Sequence, residues 1–219
     1  MHRAATAICL FLFSSIAGAQ QPSNEPAPLP REPKPAFVFD ARLGWPALDQ
    51  DAGVATALRV STDDLPGRGR TMIFGGHFYA ARRNALSFGA GAEMLWHRAS
   101  HTATVATTQS VDERMLKNRW SLFSPQVSLN FGTRDGWSYL TGGLGWSKLT
   151  MERQDEPQDS GGSLRTLNYG GGARWFIKKH LAFNMDARFY SIGAQEAATR
   201  RVATPKMRVF LISGGVSFR

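Results

Sequence analysis

The stretch Met207-Arg-Val-Phe-Leu-Ile-Ser-Gly-Gly-Val-Ser-Phe-Arg219 decides how the rest of the chain is read. Side chains alternate along a strand, so Phe210, Ile212, Gly214, Val216 and Phe218 point one way. Val209, Leu211, Ser213, Gly215 and Ser217 point the other, and neither face is charged between Arg208 and Arg219. As an open edge in water, a strand this apolar would invite pairing with other chains. In a closed barrel facing lipid, its backbone is fully paired and its apolar face lies in hydrocarbon.

The same period of two recurs upstream in seven further segments: Phe37–Trp45, Thr71–Ala80, Leu86–Trp96, Trp120–Phe131, Trp137–Lys148, Thr166–Phe176 and Leu181–Tyr190. The third is the clearest, with Leu86, Phe88, Ala90, Ala92, Met94 and Trp96 opposite Ser87, Gly89, Gly91, Glu93 and Leu95. In the fourth, Val127, Leu129 and Phe131 keep one phase, whereas Trp120 and Leu122 fall in the other with Pro125 between them. Because proline cannot donate to the ladder, a β-bulge is predicted there.

Connection lengths give the topology. Those after segments two, four and six are short (Ala81–Asn84, Thr133–Gly136, Ile177–His180), while those after one, three, five and seven are long. Strict alternation of short and long predicts an all-β fold, an eight-stranded antiparallel up-and-down transmembrane β-barrel. The longest predicted loops are the first, Pro46–Arg70, and the second, Arg98–Arg119. The third, Thr150–Leu164, is acidic, and the fourth carries Arg200, Arg201 and Lys206.

The membrane barrel competes with a soluble lipocalin-like lipid binder, which would turn the apolar face inward. Two features oppose the soluble reading. Glycines crowd the polar face (Gly75, Gly89, Gly91, Gly143, Gly145, Gly170, Gly172), as a narrow packed lumen requires and a wet surface does not. All six tryptophans also fall near strand ends, with Trp45, Trp96, Trp120 and Trp146 on the long-loop side and Trp137 and Trp175 on the short-turn side. Such rings collect at membrane interfaces, so two aromatic belts flanking a lipid-facing band are expected.

Ahead of the barrel, residues 1–19 read as a secretory signal peptide. Arg3 precedes the apolar run Ala4–Ile16, and Ala17-Gly18-Ala19 forms a small-residue cleavage site. Residues 20–36 hold six prolines without apolar periodicity and read as a Pro-rich periplasmic linker, leaving 37–219 for the barrel. The single cysteine, Cys9, lies within the leader, which excludes disulfides, iron–sulfur centres and zinc–thiolate sites from the exported chain. Without Arg3 there remain 25 Lys and Arg against 17 Asp and Glu. For an exported protein this excess points to anionic lipid head groups rather than nucleic acid.

An aromatic near the C-terminus preceded by alternating apolar residues resembles the closing strand of bacterial outer-membrane β-barrel proteins. From Phe37 to Arg219 the chain resembles the small barrels with an OmpA-like or OmpX-like transmembrane domain. The resemblance implies the outer membrane of a Gram-negative-type bacterium, a monomer, and contacts with outer-membrane lipids and lipopolysaccharide. It also implies recognition by the outer-membrane insertion machinery, with Phe210, Ile212, Val216 and Phe218 as the insertion signal. Arg219 departs from the family's terminal aromatic. Expected roles are envelope integrity, adhesion or binding of an extracellular ligand by the loops, without catalysis, cofactor or metal.

Charged residues on the inward face number three of each sign: Asp40, Glu93 and Asp186 against Arg42, Arg174 and Arg188. An eight-stranded barrel is filled by its own side chains, so these six are expected to pair as a lumen charge network; the rival reading of the same residues is a narrow, porin-like ion path. The rival class is a lipid A-modifying barrel enzyme for acyl transfer or deacylation, for which the second loop supplies His97, Ser100, His101, Asp112 and Glu113. Ser and His are common in polar loops, and no local deacylase motif accompanies them.

Overall fold

The computed structural model describes residues 36–48, 51–67, 69–83, 85–106, 111–133, 135–153, 162–197 and 203–219. The stretch expected to be a leader, residues 1–19, and all but residue 36 of the expected linker, 20–36, lie outside the described residues.

Eight strands follow in order: β1 (Phe37–Ala47), β2 (Arg70–Arg83), β3 (Leu86–Ala106), β4 (Val111–Thr133), β5 (Gly136–Arg153), β6 (Leu164–Lys178), β7 (Leu181–Ile192) and β8 (Met207–Phe218). Each pairs antiparallel with its sequence neighbour, and β8 returns to β1 from Phe39↔Phe218 to Ala47↔Phe210, closing the barrel. Closure removes both sheet edges, the condition for strands to cross hydrocarbon.

The two faces divide as period two requires. Along β7, every second residue from Ala182 to Ile192 is buried in the lumen, and Phe183, Met185 and Phe189 point outward. The outer wall is a band of exposed large apolar side chains, among them Phe39, Leu43, Phe74, Phe88, Val127, Leu140, Leu144, Leu167 and Ile212. Leu144, at 70% exposure, stands mid-strand. A water-facing surface would not carry this band; a lipid-facing one must.

Two sequence expectations need correction. β4 runs past Pro125 without a bulge: its register to β3 is continuous through Ala92↔Pro125, and its pairing to β5 has the same register on both sides, Phe123↔Trp146 and Gln126↔Gly143. The phase change arises because Trp120 and Leu122 point into the lumen, in step with Ser124, Gln126, Ser128 and Asn130. Register shifts occur instead at Tyr79/Ala81 and Phe176/Lys178, both toward the short-turn end. The second correction concerns Arg98–Arg119. β3 continues to Ala106 and β4 begins at Val111, so most of that span is paired strand extending the hairpin beyond the band. Crossing takes only about 9–11 residues, and β3 has 21.

The first connection folds back over the long-loop mouth. Helix α1 (Ala52–Leu58) is capped by Asp51, whose Oδ1 accepts from Val54 N–H at 3.0 Å. It packs Val54, Ala55 and Leu58 with Leu65, Val60 and Met151 of β5. Leu48 reaches the apolar cluster inside the barrel. The space left among Leu48, Val54, Leu65, Asn118, Met151 and Met207 is about 10 Å³, room for one water at most.

Leu144→Arg would place a charge against the bilayer mid-plane and is expected to cost about 2–4 kcal/mol of folding free energy in vesicles. A fluorophore on a cysteine at position 144 should be dimmed by lipid-tethered quenchers; undimmed emission would contradict the lipid-facing assignment.

Candidate functional site

The lumen is built in three layers. Its centre holds the six charged residues, all 3% exposed or less. Arg174 grips Asp40 with two donors, Nε to Oδ1 at 3.0 Å and Nη2 to Oδ2 at 2.5 Å. Asp40 Oδ1 also accepts from Ser217 Oγ at 2.6 Å and Asn184 Nδ2 at 3.1 Å. The other four residues alternate in charge around a ring. Arg188 donates to Asp186 through Nε at 2.7 Å and Nη2 at 3.1 Å, and its Nη1 lies 3.1 Å from Glu93 Oε2. Arg42 donates through Nη2 to Glu93, and its Nη1 lies 2.9 Å from Asp186 Oδ1, a charge contact without hydrogen-bond alignment.

Neutral groups complete the shell. Tyr190 donates to Glu93 Oε1 at 2.8 Å and Tyr139 to Asp186 Oδ2 at 2.7 Å. The Arg174 guanidinium lies 4.1 Å from the Tyr139 ring centroid, so this tyrosine joins the isolated pair to the ring of four. Arg188 Nη1 donates to Gln126 Oε1 at 2.8 Å, and Gln126 Nε2 passes the chain to Asn168 Oδ1 at 3.2 Å. The contacts span β1, β3, β4, β5, β6, β7 and β8, tying strands across the lumen that share no ladder.

Apolar layers lie on both sides of this polar centre. Toward the loops, Ile73, Leu95, Trp120, Leu122, Leu149, Leu164, Tyr190, Ile192, Met207, Val209 and Leu211 form one buried cluster. Toward the short turns, Val38, Tyr79, Trp137 and Tyr139 form another, with Phe176 against it. Glycines make room for these rings. A Cβ at Gly89 would lie 2.7 Å from Tyr79 Cδ1, and one at Gly172 would lie 2.6 Å from the Tyr139 hydroxyl oxygen.

The aromatic-belt expectation is therefore corrected for two of six tryptophans. Trp45, Trp96, Trp146 and Trp175 are 46–65% exposed on the outer wall, whereas Trp120 and Trp137 are 1% and 3% exposed inside. Trp120 donates to Ser147 Oγ at 3.0 Å and packs edge-on against Tyr190. Of the four tyrosines, Tyr79, Tyr139 and Tyr190 are lumen residues and Tyr169 faces out. Phase could have revealed them, since Asn184, Asp186, Arg188 and Tyr190 share one parity, as do Trp137, Tyr139 and Thr141. His77 is buried inside with neither ring nitrogen hydrogen-bonded. On β8, Phe210, Ile212, Val216 and Phe218 share the outer face, Phe210 packing on Phe189 at 4.8 Å between centroids.

The described side chains of the rival catalytic set are not brought together. His97 points inward, bonded to Thr71 Oγ1 at 2.9 Å and packed against Trp120. Ser100 is exposed on the hairpin extension, and His101 lies 3.7 Å from Asp64 of the first connection. Glu113 is exposed near the hairpin tip, and the side chain of Asp112 lies outside the described residues. Among the described residues, no three His, Asp or Glu side chains converge as a metal site.

A closed eight-stranded barrel, apolar outside and polar within, is a membrane-spanning β-barrel of the outer-membrane class. The chain belongs to the outer membrane protein β-barrel domain family, which matches residues 7–218. No curated protein matches the sequence. Among solved structures, Neisserial surface protein A is 14% identical, covering 85% of this chain and 99% of its own, with a TM-score of 0.52. Ail, the attachment invasion locus protein of Yersinia pestis, solved with the heparin analogue sucrose octasulfate, is 12% identical, covering 83% and 97%, TM-score 0.46. The outer membrane protease OmpT of Escherichia coli is 8% identical, covering 83% and 96%, TM-score 0.46. At 14% identity the likeness to Neisserial surface protein A is one of fold.

Removing one member of the buried ring strands its partners. Glu93→Ala leaves Arg42 and Arg188 short of a carboxylate and should lower unfolding free energy in detergent by about 3–5 kcal/mol. Urea titration of wild type and variant would measure it, and a change below about 1 kcal/mol would mean that water reaches the ring.

Proposed function

We propose that this protein is a non-enzymatic, non-conducting outer-membrane barrel, a rigid scaffold whose extracellular connections act in envelope integrity, adhesion or ligand recognition. The observation carrying this reading is the lumen's layering: a charge network at the centre, with an apolar cluster on each side of it. A hydrated ion would have to shed water in either apolar layer and then break paired charges, two steps each costing several kcal/mol. Asp40, Arg42, Glu93, Arg174, Asp186 and Arg188 then serve as cross-braces, not as a path.

Catalysis in this class of site needs a nucleophile within hydrogen-bond reach of a base. His97 engages Thr71 inside the wall while Ser100 stands exposed on the hairpin, which favours the scaffold reading. Residues 1–19 would be removed on export, residues 20–36 would remain as a periplasmic tether, and the outward row ending in Phe218 would be the signal read by the insertion machinery.

Wild-type protein in lipid vesicles should show no steady conductance above empty vesicles and release no fatty acid from lipid A. Replacing the largest ring of the outer plug, Trp120→Ala, should cost about 3–5 kcal/mol and raise leakage. Stable wild-type currents would establish a pore, and fatty acid release would establish an enzyme.

A further inference from the structure

Of the eight joints in the barrel, β1–β8 alone joins strands that are not neighbours in sequence. At β2–β3, β4–β5 and β6–β7 a tight turn limits how far one strand can slide against the next. The β1–β8 seam has no turn. Alternation of its side chains excludes a slip of one residue, which would send the polar row of β1 into lipid, but it permits a slip of two. Such a slip keeps both faces and changes the stagger with which the sheet closes.

The inward row of β1 carries two buried charges of opposite sign two residues apart, Asp40 and Arg42. Each meets its counterpart on strands that the seam joins to β1. Asp40 accepts from Arg174 of β6, from Asn184 of β7 at 3.1 Å and from Ser217 of β8 at 2.6 Å. Arg42, one inward step along, has Nη1 2.9 Å from Asp186 of β7 and donates through Nη2 to Glu93 of β3. In this register Asp40 opposes Ser217 and Arg42 opposes Gly215. If β1 slides by two so that residue 42 opposes Ser217, the Arg42 guanidinium takes the place of Asp40 and faces Arg174. If it slides the other way, so that residue 40 opposes Gly215, the Asp40 carboxylate comes beside Asp186 while Arg42 leaves it. Either slip sets like charges together inside the barrel, where an unmatched ion is far more costly than in water.

We infer that Asp40 and Arg42 together form a register key, which admits β1 to the seam only where acid meets base at both positions. The order of the charges carries the information: acid then base on β1, read against Arg174 then Asp186 across the seam. Fixing the alignment of packed elements is the best-attested specific role of buried polar groups. The inference concerns how the barrel closes and is independent of whether the lumen conducts.

The test asks which residue of β8 position 41 meets. Ala41 and Val216 oppose each other on the outer wall, away from the key. In a Cys9→Ser chain, Ala41→Cys is combined with Val216→Cys, which reports the native register, or with Gly214→Cys or Phe218→Cys, which report the two slips. A Cβ at Gly214 would come no nearer than 3.7 Å to Asn184 O, so a side chain fits there. Directly opposed Cα atoms lie about 4.5–5.5 Å apart and diagonal ones about 7–8 Å, so a disulfide, which spans about 4.4–6.8 Å, reads the register. Each chain is refolded in detergent under reducing conditions and then oxidised, and the bond is scored by mass spectrometry. With the native key, 41–216 should close and the other two pairs should not. Asp40→Asn removes the carboxylate that Asp186 repels and should raise the 41–214 bond about tenfold or more, leaving 41–218 unformed. Arg42→Gln removes the cation that Arg174 repels and should raise 41–218 instead. Asp40→Arg with Arg42→Asp keeps the composition, reverses the order and should exchange the 41–216 bond for the slipped ones. Residues that merely brace the barrel would lower every bond alike. The proposal is overturned if the wild-type key forms a slipped bond as readily as the native one, if any variant closes only at 41–216, if a single variant slips in the opposite direction, or if no variant closes in any register.

Discussion

The structure depends on one constraint: in hydrocarbon, every backbone N–H and C=O must find its partner within the protein. β1 meets this by pairing with both β2 and β8, and the ring of eight ladders leaves no edge. Closure at eight strands also sets the interior width, just enough for side chains to fill. Packing then takes over from pairing. Glycines such as Gly89 and Gly172 stand where Tyr79 and Tyr139 need their volume.

A filled lumen makes its charges expensive unless they are matched. Apolar clusters on both sides keep the centre dry, so Asp40–Arg174 and the ring of Arg42, Glu93, Arg188 and Asp186 are each completed by further donors or acceptors. The same dryness that makes an unpaired ion costly strengthens the attraction between paired ones. The network joins β1 to β6, β3 to β7 and β5 to β7, so breaking one contact loosens strands that no ladder connects. A rigid wall is what the outward connections need in order to hold a fixed shape, and α1 uses it, docking its apolar side on Met151 at the rim.

The two ends of the barrel differ in chemistry as well as in length. The short-turn end closes with tight connections, and there the Arg219 guanidinium lies 4.1 Å from the Phe176 ring centroid. The loop end carries the outward cations Arg70, Arg98, Arg119, Lys148, Arg165 and Arg208 immediately beyond the apolar band. Burial of apolar surface in lipid holds the barrel at one depth, with these cations just outside the hydrocarbon.

The residues alone determined the strand number, the alternation of short and long connections and the lipid-facing phase, because period two survives in sequence wherever one face meets hydrocarbon and the other does not. Asp40, Glu93, Asp186 and three arginines were visible as inward charges for the same reason. Where both faces are apolar, the contrast disappears. Trp120 and Leu122 looked like a slipped register at Pro125, and Trp137 looked like a belt residue, because a plug inside a barrel and a wall in lipid use the same side chains. Only tertiary structure decided which charge meets which, since Arg42 and Glu93 are 51 residues apart and Asp40 and Arg174 are 134 apart. It also decided that Arg70, Arg98 and Arg119 oppose one another, because register depends on how whole strands align, and no local pattern around any of the three records it.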